Sequence, residues 1–362
     1  MQLLFGGVYK NRRILVTGHT GFKGSWLCKW LNYLDAEVFG YSLKPSTEPN
    51  HFDLSNPKVN SHINNIQDLN SIRNFITKNE PEIIFHLAAQ PLVIESYEEP
   101  LETFTTNIIG TANLLEAARY TDSVKAIIII TTDKCYKNKE CIYGYKESDE
   151  LGGYDPYSAS KACTELVTES YRHSFLKKDK TGLLIASARA GNVLGGGDWT
   201  SNRIFKDIAI AASEKEKLIL RNPESIRPWQ HVLEPLSGYL LLGQLLYQNQ
   251  NEFSGPWNFG PLSDSNITVR ELVNVVKKRW EDIEVEFEKP KNYESKYLML
   301  DSSKAYNKLK WKPVWGIDLT INNTIDWYKS YYEKKIVKTD DQIKKFVHDA
   351  QKNKIGWALD VA

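Results

Sequence analysis

The amino-acid sequence predicts an α/β protein, a doubly wound parallel sheet that carries a smaller α/β cap domain. Three observations predict it. Short β-branched runs alternate with helix-patterned segments through the first half of the chain. Glycines stand between the first such strand and the first helix, in Gly18-His19-Thr20-Gly21-Phe22-Lys23-Gly24. A run of four isoleucines, Ile127 to Ile130, needs apolar cover on both faces, which a parallel sheet flanked by helices provides.

Taken in order, residues 13–17 are a short apolar, β-branched strand. Residues 22–34 follow as a helix with Phe22, Trp26, Leu27, Trp30, Leu31 and Leu34 at helical spacing. A second strand covers 37–42. A helix covers 67–78, with Leu69, Ile72, Phe75 and Ile76 along one side, and a buried strand covers 83–87. A long helix spans 101–119, a strand 126–131, another helix 157–175 and another strand 182–188. Repeated strand–helix units of this kind wind right-handedly into one sheet. Ligands of such sheets sit at the carboxyl ends of the strands, where Gly18, Ala88 and Thr131-Thr132 fall. The expected boundaries are a dinucleotide-binding domain over 1–191, a mainly substrate-binding domain over 192–332 with some segments returning to the sheet, and a helical tail over 333–362. Within the second region, 202–213 reads as a helix and 218–221 as a short strand. In the tail, Ile343, Phe346, Val347 and Ala350 share one helical face, suited to packing on the surface or on a neighbouring subunit.

Composition narrows the function. At 362 residues the chain exceeds the ~250–300 residues at which single cores stop growing. Lysine plus arginine is 46 and aspartate plus glutamate 45, a formal net charge of +1, which gives no reason to expect nucleic acid or an anionic membrane. No apolar run approaches the ~20 residues of a membrane span, and no apolar leader segment opens the chain. Cys28, Cys135, Cys141 and Cys163 show neither a paired framework nor C-x-x-C spacing, so reduced thiols in the cytoplasm are the economical reading. The seven histidines lack metal-ligand spacing, and no metal is expected.

The glycines permit a tight turn and a close approach of backbone to a pyrophosphate, with the free N–H groups of a helix N-terminus beside it. Downstream, Tyr157-Ser158-Ala159-Ser160-Lys161 puts a phenol and an ammonium one helical turn apart on one face. A neighbouring lysine favours the phenolate and is expected to lower the pKa of Tyr157. Such a tyrosine can take a proton from an alcohol while hydride leaves the carbon. Between the two motifs, Thr131-Thr132-Asp133-Lys134-Cys135-Tyr136 sets a carboxyl and an amine directly after two hydroxyls, an acid–base pair whose charges shift each other.

The glycine spacing and the Tyr157–Lys161 pair resemble those of the extended short-chain dehydrogenase/reductase superfamily, whose sheet is of the Rossmann type. More of the chain is similar to its nucleotide-sugar 4,6-dehydratase branch. The similar stretches are Val16 to Trp26, Phe85-His86-Leu87-Ala88-Ala89-Gln90-Pro91-Leu92-Val93, Thr132 to Tyr136, Gly153 to Ser158, Arg189-Ala190-Gly191-Asn192-Val193, Gly195 to Trp199, and Ile226-Arg227-Pro228-Trp229-Gln230-His231 through Pro235. The resemblance implies a lyase that uses NAD. Gly18, Thr20, Gly21, Phe22, Lys23, Gly24, Asn65, Ile66, Leu87, Ala88, Ala89, Gln90, Asn107, Thr131, Tyr157 and Lys161 would hold the cofactor. It implies that Thr132, Asp133, Lys134, Tyr157 and Lys161 are catalytic, with Lys134 as base at C5 and Asp133 as acid at the C6 hydroxyl. Relatives acting on other nucleotide sugars carry Asp-Glu where this chain has Asp133-Lys134, so the lysine implies CDP-D-glucose as substrate. Arg227 and then Arg203 are the candidates for the diphosphate, Asn192 for a phosphate oxygen, Gln90 for the sugar, Tyr297 for the nucleotide, and Gln230 is a further substrate-binding candidate. Trp199 and Trp229 are expected to pack. A homodimer through 101–119 and 157–175 is implied as well.

The chain departs from the pattern twice. The second strand ends Gly40-Tyr41-Ser42-Leu43-Lys44, without the acid that usually holds the adenosine ribose, and Lys44 is compatible with a 2′-phosphate. Asn65 stands where relatives have an aspartate for the adenine amine. A nucleotide-sugar 4-epimerase, which has no need of Asp133 and Lys134, and a non-catalytic dinucleotide-binding scaffold remain as alternatives.

Overall fold

The computed structural model describes residues 3–141, 143–176, 182–201, 203–220, 222–261, 265–280, 283–288 and 297–359. Asn202 and Arg221, at the ends of two expected elements, lie outside them. Seven parallel strands form the central sheet: β1 (Arg13–Thr17), β2 (Glu37–Ser42), β3 (Asn60–Ile63), β4 (Ile83–His86), β5 (Ala126–Ile130), β6 (Leu184–Ala190) and a strand contributed late in the chain, Gly255–Phe259. Their spatial order is Gly255–Phe259, β6, β5, β4, β1, β2, β3. The order reverses between β1 and β4. That crevice is where an open α/β sheet binds its ligand.

The isoleucine run shows why the sheet is covered twice. Ala126, Ile128 and Ile130 join the core on one face, and Ile127 and Ile129 join a second core on the other. Alternation of side chains along a strand leaves neither set exposed. The late strand Gly255–Phe259 and the apolar helix before it, Leu233–Tyr247, return to this sheet.

Two helices differ from their expected form. The segment expected as one helix over 101–119 runs as Pro100–Phe104, a wide π turn Thr105–Ile109, and Gly110–Ala118. The wide turn carries Asn107, which is buried between two partners. Its Oδ1 accepts from the Gln90 backbone N–H at 2.8 Å and its Nδ2 donates to Ser160 Oγ at 2.8 Å. Single wide turns of this kind inside α-helices are frequent at functional sites. The second helix, Pro156–Tyr171, also loosens into a π turn at Arg172–Leu176.

The C-terminal helix Thr339–Lys352 packs on the chain's own first helix, Phe22–Tyr33. Phe346 meets Trp30 edge-on at 5.5 Å, and Trp357 stacks on Phe5 at 4.9 Å. His51 bridges the two ends of the molecule, with Nδ1 at 2.7 Å from Ser25 Oγ and Nε2 at 2.8 Å from Thr339 Oγ1. The tail therefore braces the helix that follows the glycine turn.

Candidate active site

The glycine turn has the shape its spacing requires. Gly18 has φ +70°, and a Cβ there would lie 2.7 Å from the Ala88 amide nitrogen. A Cβ on Gly24 would lie 2.1 Å from the Gly18 carbonyl oxygen. Both positions admit only glycine. Gly21 differs: its φ is −73°, it is exposed, and a Cβ would meet only the Gly18 oxygen, at 3.3 Å. It is the N-cap of Phe22–Tyr33 and places no side chain over the first-turn N–H groups. An open, uncapped helix N-terminus at the sheet's switch point suits the pyrophosphate of a dinucleotide. Thr20 Oγ1 turns away from this space, bonding Ser42 Oγ at 2.9 Å and the Leu43 carbonyl at 2.8 Å. At the other end of the crevice, the Asn65 backbone N–H and side-chain oxygen are used in the local turn, the oxygen accepting from the Gln67 N–H at 3.0 Å. Ile66 is buried against Gly110. Lys44 is exposed beyond β2.

Past the end of β5, the chain makes one 3-10 turn over Asp133–Cys135, capped by Thr132. Thr132 Oγ1 donates to Asp133 Oδ1 at 2.9 Å, and the Thr132 side chain lies close enough to the Tyr157 phenol to oppose the rise in its pKa. Tyr157, Thr132 and Asp133 thus lie in series. Asp133 is 4% exposed. Burial pushes its carboxyl above the usual range, against the opposing charges of Lys134, Lys23 and Arg227. The carboxyl fits because Gly191 lies against it, where a Cβ would stand 3.0 Å from Asp133 Oδ2. Lys134 is half-buried at the mouth of the turn.

The expected lowering of the Tyr157 pKa is not what the structure shows. Burial dominates and raises the phenol to about 12, with the Thr132 side chain opposing it. Lys161 is itself lowered to about 8 by burial and by the charge of Lys23, with Glu165 opposing. Its Nζ lies 3.4 Å from the Ile130 carbonyl oxygen. Desolvation disfavours both charged forms, and proximity in sequence does not offset it.

Lys23, expected only at the cofactor, faces the acid–base turn as well. It is lowered to about 8 by burial and by Arg203, while Asp133 and Asp198 oppose. Arg203 pairs with Asp198 at 3.3 Å, just before the helix Ile204–Glu214. Arg227 sits on the short strand Ile226–Pro228, paired antiparallel with Asn266–Thr268, and acts on Asp133. Cations from three separate elements therefore converge on the Tyr157–Asp133 wall, a field suited to a diphosphate.

The remaining expected residues take the following places. The Gln90 side chain is turned back on its own loop, donating to Thr103 Oγ1 at 2.8 Å and accepting from the Leu92 N–H. Gln230 is 1% exposed and donates to the Phe259 carbonyl at 2.9 Å. Asn192 lies half-buried between β6 and the short strand Val193–Leu194. Tyr297 is half-buried, its carbonyl accepting from Asn138 Nδ2 at 3.2 Å. Trp199 and Trp229 are buried in the core. Leu87 and Ala89 flank Ala88 in the loop after β4, and Phe22 approaches Gly195. Among the described residues, no group of three or more His, Cys, Asp or Glu side chains could hold a metal, and no helix is long and apolar enough to cross a membrane. The four cysteines are unpaired.

Sequence reading missed Gly191, Glu165 and Arg189. Gly191 and Arg189 lie inside the stretch Arg189–Val193, in which Asn192 is the one expected site residue, and Glu165 follows Lys161 by one helical turn.

Comparison with known proteins follows the same lines. The family described as GDP-mannose 4,6 dehydratase matches residues 15–324. The chain is 46% identical over 330 residues to a CDP-glucose 4,6-dehydratase of Salmonella typhimurium, covering 89% of this chain and 92% of that one. It is 26% identical to a CDP-paratose 2-epimerase of Salmonella typhi, over 88% and 99% of the two chains. Among solved structures, a Thermus thermophilus UDP-glucose 4-epimerase in complex with NAD superposes with a TM-score of 0.75 at 24% identity, covering 88% of this chain and 99% of that one.

Proposed function

Because the chain belongs to the GDP-mannose 4,6 dehydratase family, we propose that it is an NAD-dependent nucleotide-sugar 4,6-dehydratase acting on CDP-D-glucose, with CDP-4-dehydro-6-deoxy-D-glucose and water as products. One observation carries the reading: the Tyr157–Thr132–Asp133 series, with Lys134 beside it, sets a proton acceptor for an alcohol next to a separate acid–base pair. An epimerase needs only the first. The 46% identity to the Salmonella dehydratase supports the choice of substrate.

NAD, held over the Gly18–Gly24 turn, would supply the hydride acceptor for C4 of the sugar and the hydride donor for C6. The residues handle the protons. Tyr157 takes the proton of the 4-hydroxyl, oriented by Thr132. Lys161 provides positive charge in a buried site where the phenolate would otherwise be costly. The 4-ketone acidifies the hydrogen at C5, which Lys134 removes as a proton and returns to C5 once C6 is reduced. Asp133, whose burial favours the protonated form, gives a proton to the C6 hydroxyl, which leaves as water. Thr131, Gly18, Gly21 and Gly24 shape the cofactor side, and Arg227, Arg203 and Lys23 line the diphosphate side.

The protein is further proposed to be a cytoplasmic homodimer. Its unpaired cysteines support the compartment. The exposed Leu101, Ile109 and Leu166, on helices that pack side by side, support a subunit contact.

Incubation with NAD⁺ and a panel of CDP-, UDP-, GDP- and dTDP-glucose tests the reading. CDP-glucose should be converted to a 4-keto-6-deoxy sugar, seen by its ultraviolet absorbance in alkali. Conversion to a C4 epimer, or consumption of another nucleotide sugar in preference, would overturn it. Lys134→Ala should still reduce NAD⁺ in one turnover and then stall before water is lost, with slowed exchange of the C5 hydrogen with solvent.

A further inference from the structure

The turn that carries Asp133 and Lys134 does not support itself. Its internal bonds are long: Cys135 N–H to the Thr132 carbonyl at 3.3 Å, and Tyr136 N–H to the Asp133 carbonyl at 3.4 Å. Three residues of 3-10 helix have little intrinsic stability. Its position is set from both flanks, and both flanks reach the same buried ion pair. On the near side, Thr131 Oγ1 donates to Glu165 Oε1 at 2.5 Å. On the far side, the Tyr136 hydroxyl accepts from Arg189 Nη1 at 2.7 Å and donates to Asn258 Oδ1 at 2.8 Å. Arg189 Nη2 closes the figure on Glu165 Oε2 at 2.8 Å, where Ser187 Oγ also donates at 2.6 Å. Both charged side chains are 3% exposed.

Burying two ions is costly, and a buried pair is weak evidence for added stability. It does, however, fix distances. Glu165 lies one turn beyond Lys161 on the Tyr157 helix, and Arg189 lies on β6, two residues before the Gly191 that receives the Asp133 carboxyl. Asn258 continues outward, donating to the carbonyls of Tyr145 at 2.8 Å and Asp301 at 3.1 Å. Helix, sheet, acid–base turn and the segments around 145 and 301 therefore share one hydrogen-bonded network.

We propose that the Glu165–Arg189 pair is a positioning device: acting through Thr131 and Tyr136, it holds the Asp133–Lys134 turn in register with Tyr157, and the elimination depends on it more than the oxidation does. The asymmetry follows from the supports. Tyr157 and Lys161 are carried by a regular helix, whereas the turn rests on side-chain bonds through Thr131 and Tyr136 and on a short backbone pairing, with the Gly152 N–H donating to the Cys135 carbonyl at 2.9 Å. The second half of this inference rests on the dehydratase reading. The first half does not.

Tyr136→Phe is the variant to make, because it removes one hydroxyl and leaves the ion pair whole. In ligand-free protein, backbone amides of residues 132–136 should exchange with solvent about tenfold faster than in the unaltered protein, with those of 158–168 unchanged. With NAD⁺ and CDP-glucose, reduction of NAD⁺ in the first turnover should stay within about twofold, while overall turnover falls about tenfold and bound NADH accumulates, the size expected for one lost hydrogen bond. Arg189→Lys, which keeps a charge for Glu165 but loses the fork that also reaches Tyr136, should give the same pattern. Unchanged exchange in the turn would overturn the clamp. Equal slowing of oxidation and elimination, or of neither, would overturn the selective role. If the unaltered protein consumes no nucleotide sugar, the functional reading fails and takes the selective role with it, and the exchange measurement still decides the clamp.

Discussion

Tyr157 and Lys161 sit on a helix packed against the central sheet, and both are more than nine-tenths buried. Arg227 and Arg203 sit across the same cleft on slighter supports, one on a two-stranded ladder of three residues and the other at the exposed start of a helix. The difference separates two tasks. Proton transfer needs atoms held to a fraction of an ångström, which only a packed core provides. Binding a diphosphate needs charge in the right region, and long, half-exposed arginines supply that while allowing substrate to enter.

If this division is right, removing a group from the buried wall should cost rate, and removing one from the exposed wall should cost affinity. The largest effect belongs to Tyr157→Phe. Turnover should drop by about two to four decades, the usual loss for a positioned proton acceptor, with the melting temperature little changed. Turnover near normal would remove the tyrosine from the chemistry.

Gly21→Val tests the cofactor floor between the two walls. A Cβ at Gly21 meets only one backbone oxygen, whereas at Gly18 or Gly24 it would strike backbone below 3 Å. The variant should therefore fold. It should lose about two decades in NAD affinity by calorimetry, as one or two hydrogen bonds to a charged acceptor at about 1.5–3 kcal/mol each are blocked. Unchanged affinity would place the dinucleotide elsewhere.

Arg227→Ala should weaken nucleotide-sugar binding by about 1.5–3 kcal/mol, roughly tenfold to a hundredfold, and leave NAD binding untouched. Equal loss of both ligands would erase the distinction between the walls.

The smallest effect sharpens the comparison from the stability side. Lys161 is lowered from 10.5 to about 8, so below pH 8 the folded protein carries its charge at a cost. The sign follows: this group's contribution to stability is unfavourable at pH 7 and recovers as pH rises from about 8 towards 10.5. Lys161→Met should stabilise the ligand-free protein at pH 7 by about 1–3 kcal/mol while abolishing turnover. Thermal melts at pH 7 and pH 10 measure it, and the gain should shrink at the higher pH. Arg227→Ala should show no such gain.

The sequence alone determined the sheet and the strand ends at which its candidate site residues meet. Strand β1 and the helix after it, β2, β4 and the isoleucine strand all appear where periodicity put them, because each element buries a local pattern that its own residues write. The convergence of Gly18, Ala88 and Thr132 followed from a rule about parallel sheets, and needed no long-range information. The late strand Gly255–Phe259 carries no alternation to announce it, and its place beside β6 is set by the partner it finds.

Tertiary structure alone decided the electrostatics and the supports. Tyr157-x-x-x-Lys161 predicts a lowered phenol pKa from spacing, but burial raises it, and burial is a property of everything packed around the helix. Lys23 reaches the acid–base turn because the loops after β1 and β5, strands with only β4 between them, face one crevice. Gln90 and Gln230, which their motifs made into ligand contacts, turn their amide groups onto protein backbone. Glu165 and Arg189 are 24 residues apart in sequence and 2.8 Å apart in space. Periodicity and spacing report what a residue does to its neighbours in the chain, and a buried charge is settled by neighbours in space, which only the folded chain brings together.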